Sequence, residues 1–116
     1  MPPAFLDGVA LFNAGQFFEA HEAFEALLDE VEEDRRWDLL LALIQVAVGY
    51  HKCASGHPGG ARMLGLGADK LRALPDEMCG VAVGALRARV AADVEQLEAG
   101  RSPDEHPPRI VMTPPG

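Results

Sequence analysis

The residues best able to do chemistry lie in one short stretch, Glu19-Ala20-His21-Glu22-Ala23-Phe24-Glu25, with a second histidine at His51. On a helix, His21 and Glu25 are four apart and therefore neighbours on the surface, with Glu22 further round. An imidazole beside a carboxylate can move protons. Two imidazoles with one or two carboxylates, presented from facing helices, can also hold Zn, Mn or Fe. The pattern is not His-Glu-x-x-His, and it lacks the Glu-x-x-His pairs of di-iron bundles. The same groups build structural networks, in which an imidazole joins a carboxylate to a backbone group. That structural reading ranks first, ahead of a binding or catalytic pocket and of a metal site formed by His21, Glu25 and His51. No other cofactor is expected.

The remaining candidates are weaker. His57 precedes Pro58 at a helix junction, and His106 lies in a proline-rich tail. Ser55 and Ser102, the only serines, have no histidine–acid partners nearby in sequence. Gly59-Gly60 lacks the lysine and the preceding strand of a phosphate loop.

Helices must position these groups. Ala and Leu dominate an apolar content of 48%, and aromatics are only 6%, a composition that suits packed helices over sheets. Apolar spacing and glycine or proline punctuation predict five helices, over residues 4–14, 16–31, 35–55, 58–74 and 82–99. Asp34 is the expected cap of the third, Gly56 its stop, and Pro58 the first-turn residue of the fourth. Residues 39–50 are apolar nearly all round, so the third helix is expected at the centre. A short connection makes helices two and three antiparallel neighbours, which brings position 21 toward position 51 and Glu25 toward Val48. Trp37, Leu41, Ile44, Val48 and His51 share one stripe of the third helix. The fifth helix is expected to turn Val83, Leu86, Val90, Val94 and Leu97 inward. No strand pattern is evident.

The fold expected is therefore all-α: one bundle domain over residues 1–100, followed by an extended or disordered tail over 101–116. The tail holds five prolines, and Ile110-Val111-Met112 is its one apolar patch able to dock. Glycines 59, 60, 65 and 67 each cost the fourth helix about 1 kcal/mol against alanine. Close approach by a neighbouring helix is the preferred explanation, and a bare surface for a ligand the other.

The formal charge of −8 is unevenly spread. Residues 17–38 hold nine acids against Arg35 and Arg36, whereas residues 52–89 hold six bases against three acids. No dominant basic face exists, so nucleic acid is not an expected partner. Cys53 and Cys79 do not form a Cys-x-x-Cys pair, and reduced thiols are expected. No basic n-region suggests a secretory leader, and the longest apolar run is too short to span a bilayer. A cytoplasmic, membrane-free protein is the expectation.

Two stretches carry a resemblance. Phe12-Asn13-Ala14-Gly15-Gln16-Phe17-Phe18-Glu19-Ala20-His21-Glu22-Ala23-Phe24-Glu25 is one, and Leu43-Ile44-Gln45-Val46-Ala47-Val48-Gly49-Tyr50-His51 with Gly56-His57-Pro58-Gly59-Gly60-Ala61 is the other. Together they resemble the small proteins grouped as domain of unknown function 309, over roughly residues 5–98. The positions matching that family's pattern are Gly15, Glu19, His21, Glu22, Glu25, His51, Gly56 and Ala61. The resemblance implies a compact helical bundle and no chemistry. A weaker likeness to tetratricopeptide repeats, in Gly15-x-Phe17-x-x-Ala20-x-x-x-Phe24, supports a helical hairpin only, since such arrays need about three repeats.

From these readings the expected function is a non-enzymatic helical module that binds a partner protein or self-associates. The alternative is a metal-dependent or acid–base enzyme, hydrolase-like, using His21, Glu22, Glu25 and His51.

Overall fold

A computed structural model describes residues 1–102 and 105–114. The chain forms helix α1 (Phe5–Asn13), α2 (Phe17–Glu25), a short 3-10 turn (Leu28–Val31), α3 (Arg35–Ala54) and α4 (Gly60–Arg72). Strands β1 (Glu77–Met78) and β2 (Val81–Ala82) and helix α5 (Val83–Glu98) follow. The fold is a single, mostly all-α domain with five α-helices among the described residues, as the periodicity predicts. Its Cα radius of gyration is 13.2 Å, close to the roughly 13 Å of a compact chain this long. No helix among the described residues is long and apolar enough to cross a membrane.

Helix α3 lies at the centre, packed against α2 on one side and α4 on the other. Leu39, Leu40, Leu43, Val46, Ala47 and Tyr50 are among its buried residues. They meet Phe12 and Phe24 from the first two helices, Leu64 and Leu71 from α4, and Leu86 from α5 in one core. Asp34 begins the helix as expected: its carboxylate accepts the Arg36 backbone N–H at 2.9 Å. That bond and the Arg36 side chain hold the Asp34 carboxyl below the usual carboxylate value.

Three details depart from the sequence reading. Helix α2 ends at Glu25, and residues 28–31 tighten into a 3-10 turn. Glu25 and Asp29 would be like charges four apart in a continued helix, and no base lies in the last turn to meet its dipole. The tighter turn still buries Leu27 and Val31. Secondly, Pro58 precedes α4 and does not open it; Gly59 is the N-cap. Thirdly, a two-residue hairpin joins α4 to α5 where no strand pattern is evident. Its corner residues, Cys79 (φ 54°) and Gly80 (φ 78°), are both left-handed, as a tight hairpin turn of matching twist requires.

The close approach of α3 and α4 explains two of the α4 glycines. A Cβ at Gly67 would lie 2.7 Å from Val46 Cγ2, and one at Gly60 only 2.5 Å from Cys53 Sγ. Gly49 on α3 is equally tight against Leu64. Gly65 faces open space and has no such reason.

The chain after Gly100 returns to the bundle. Ile110 is buried, and the Asn13 side chain both donates to its carbonyl (3.0 Å) and accepts from its N–H (2.7 Å). Ala82 N–H donates to Val111 O at 2.9 Å, and Met112 bridges Val81, so the strap runs beside β2.

Candidate functional site

Antiparallel packing of α2 and α3 brings the two predicted histidines to one cleft, but not into contact with each other. Phe18 stands between them. Its ring centroid is 4.9 Å from that of His21 and 5.3 Å from that of His51. The cleft has a volume of about 330 Å³ and is lined by Phe18, His21, Val48, His51, Lys52, Ser55 and His57. No acid lines it among the described residues.

A shallower hollow of about 380 Å³ shares the Phe18–His21 wall and is lined beyond it by Glu22, Glu25 and Ala26. The predicted cluster is thus divided: His51 lies on the basic side of Phe18, Glu22 and Glu25 on the acidic side, and His21 touches both. Val48, expected near Glu25, lines the basic cleft. Among the described residues, no three His, Cys, Asp or Glu side chains come together in a way that could hold a metal ion.

Hydrogen bonds fix two imidazole tautomers. His21 Nδ1 lies 2.5 Å from the Phe18 carbonyl, which can only accept, so this nitrogen carries the proton. The other ring nitrogen, Nε2, faces Glu25 Oε2 at 3.8 Å. His57 is the reverse: its Nδ1 accepts the Gly59 N–H at 3.0 Å, leaving Nε2 as donor.

The outer wall is apolar and open. The stripe Trp37, Leu41, Ile44, Val48 and His51 does not enter the core; these side chains are half-buried to exposed, because the buried face of α3 is turned toward α4 and the α1–α2 hairpin. Phe18 is 45% exposed and Trp37 36%. Burying a large aromatic side chain is worth about 1.5–3 kcal/mol, so leaving two in water on one face forgoes core stability.

One buried polar group escapes the sequence reading. Asp93, 1% exposed, sits within α5 and accepts from Tyr50 OH at 2.5 Å and from Arg89 Nε at 2.8 Å. Arg89 also donates to the His106 carbonyl. Helical spacing marks Leu86, Val90 and Val94 as inward, and Asp93, three after Val90 and seven after Leu86, lies at the edge of that face; the Arg89–Asp93 pair, four apart, was the available signal. Burial first, and the Asp93 carboxylate second, push the Tyr50 hydroxyl far above the ordinary tyrosine value. Burial likewise raises the Cys53 thiol.

The fold and this face define a small helical bundle with an open, bipolar groove between two antiparallel helices. The chain belongs to the family described as Domain of unknown function (DUF309), whose model matches residues 5–64. That match runs from α1 into α4 and includes both walls of the groove, while α5 and the C-terminal strap lie beyond it. No curated protein matches the chain.

Proposed function

We propose that the protein is a binding module whose contact face is the α2–α3 groove. The observation that supports this best is the half-exposed apolar stripe of α3 beside the half-exposed Phe18. An apolar groove between parallel-running helix walls suits a protein surface, with aromatic anchors at its centre. A photo-crosslinking residue placed at Val48 should give discrete protein adducts in the cells that make the chain. The same residue at Arg62, an exposed position of α4, should not. Equal adducts from both positions would contradict the proposal.

A second reading has one observation in its favour. The cleft opens onto both histidines, and His57 presents its Nε2–H as a donor beside them. This arrangement suits acid–base chemistry on a small substrate. Its test is metal analysis and a hydrolase substrate screen on protein purified without a histidine tag, compared with His21→Ala. A turnover abolished by His21→Ala without loss of folding would favour this reading over the first.

A further inference from the structure

We infer that the occupant of the α2–α3 groove is a second copy of the same chain, related by a two-fold axis that passes beside Phe18. The inference rests on the reading of this face as a contact surface and adds what covers it.

The face is electrically bipolar across the Phe18–His21 wall. On one side Lys52, His51 and His57 line the cleft, and Lys52 has no acid partner among the described residues. On the other side Glu22 and Glu25 line the hollow, both exposed, with no lysine or arginine among its lining residues. Phe18 and His21 lie between. A basic residue in the last turn of α3 complements the helix dipole, which accounts for Lys52 and His51 at that end. It does not account for an aromatic ring left 45% exposed beside them.

A face that is basic at one end and acidic at the other is complementary to itself under two-fold rotation, the symmetry of the commonest dimers. The ring contacts Phe17–Tyr50 (5.5 Å) and Phe18–His51 (5.3 Å) fix the antiparallel register of the two helices. Lys52 and Glu25 lie on opposite sides of Phe18, so an axis beside Phe18 sets Lys52 of each protomer opposite Glu25 of the other. The same axis brings the two Phe18 rings together. From Trp37 to His51 the stripe is about 21 Å long at the helical rise, and two helix walls are about 20 Å across. Such a face would bury roughly 420 Å² per protomer, the size of a weak, transient contact. The expected dimer is weak, in the micromolar range, and salt-sensitive.

The charge pattern supplies its own test. Light scattering after size exclusion should show the full-length chain shifting from monomer to dimer as concentration rises through the micromolar range, less so at high salt. Lys52→Glu and Glu25→Lys change half-exposed or exposed side chains, and each alone should weaken the dimer at least ten-fold by placing like charges together. Mixed in equal amounts, the two variants should form a heterodimer at least as tight as the wild-type dimer, because both contacts are then attractive. A strict monomer at millimolar concentration would overturn the inference, as would a dimer indifferent to both variants, or variants that fail to rescue each other. If the chain is a monomer but the Val48 probe captures a different protein, the binding-module reading stands and only the self-pairing fails. If neither occurs, both fail.

Discussion

Tyr50 on α3 donates its hydroxyl to the Asp93 carboxylate on α5, at 2.5 Å and within the core. The bond ties the central helix to the last one, and Arg89 completes it from the same side of α5 at 2.8 Å. Removing the acid leaves a buried hydroxyl and a partly buried guanidinium without their acceptor. Asp93→Ala is expected to cost about 2–4 kcal/mol of unfolding free energy, and Tyr50→Phe about 1–2 kcal/mol, measured by urea denaturation. A loss below about 0.5 kcal/mol in Asp93→Ala would mean that the network adds nothing net.

The same bond sets a pH dependence whose sign is fixed. The folded chain keeps the Tyr50 proton well above the ordinary value of 10.0, because burial and the Asp93 carboxylate oppose the phenolate. The unfolded chain loses that proton from about pH 10. Above that pH the folded state binds more protons, so stability is complete below about pH 10 and falls as pH rises. Tyr50 is the chain's single tyrosine. Tyrosinate absorbance should therefore stay low above pH 10 and rise only with unfolding, and Tyr50→Phe should lose less stability than wild type over that range. Free titration of Tyr50 in the folded protein would show the reverse.

The α4 glycines give substitutions of opposite sign. Gly67→Ala should destabilise, since its Cβ would meet Val46 Cγ2 at 2.7 Å and the Val46 backbone nitrogen at 3.2 Å, leaving little room to relax. Gly65→Ala meets nothing within 4 Å and should stabilise by up to about 1 kcal/mol through helix propensity. Melting temperatures of the two variants against wild type decide the matter. A gain in Gly67→Ala would mean that helices α3 and α4 are not held in close contact.

How much of this was legible in the sequence differs between fold and site. Apolar spacing, the Asp34 cap and the glycine stops place all five helices, and every end but that of α2 within a few residues. The capture of α3 between two neighbours follows from its apolar run. The end of α2 was not legible, because Leu27, Leu28 and Val31 continue a helical period that the acidic charges at 25, 29 and 30 oppose. Cys79-Gly80 carries a hairpin too short for any periodicity to reveal. At the site, the convergence of His21 and His51 followed from antiparallel packing. Which face of α3 enters the core did not: the stripe from Trp37 to His51 is as apolar as the buried one, and only the positions of α4 and the α1–α2 hairpin choose between them. The ring of Phe18 between the histidines, and the buried Asp93, depend on the same tertiary choice.

The strap behind β2 offers a test of what holds the chain's last residues. Asn13→Ala removes both side-chain bonds to Ile110, while leaving its apolar contacts. Limited proteolysis after residue 100 should become several-fold faster, with a stability loss of about 1–2 kcal/mol. Unchanged cleavage would assign the hold to Ile110 and the β2 bonds alone.

The central claim is that Phe18 and the α3 stripe belong to a contact face and not to the core. Phe18→Ala is the direct measurement, with Phe24→Ala beside it: the first ring is 45% exposed, the second 0%. Phe24→Ala should cost about 3–5 kcal/mol, as for a buried aromatic residue. Phe18→Ala should cost less than about 1 kcal/mol, and the same folded variant should lose most of the adduct formed by a photo-crosslinker at Val48. A Phe18→Ala protein as destabilised as Phe24→Ala, or one that is stable and crosslinks as wild type does, would contradict the account.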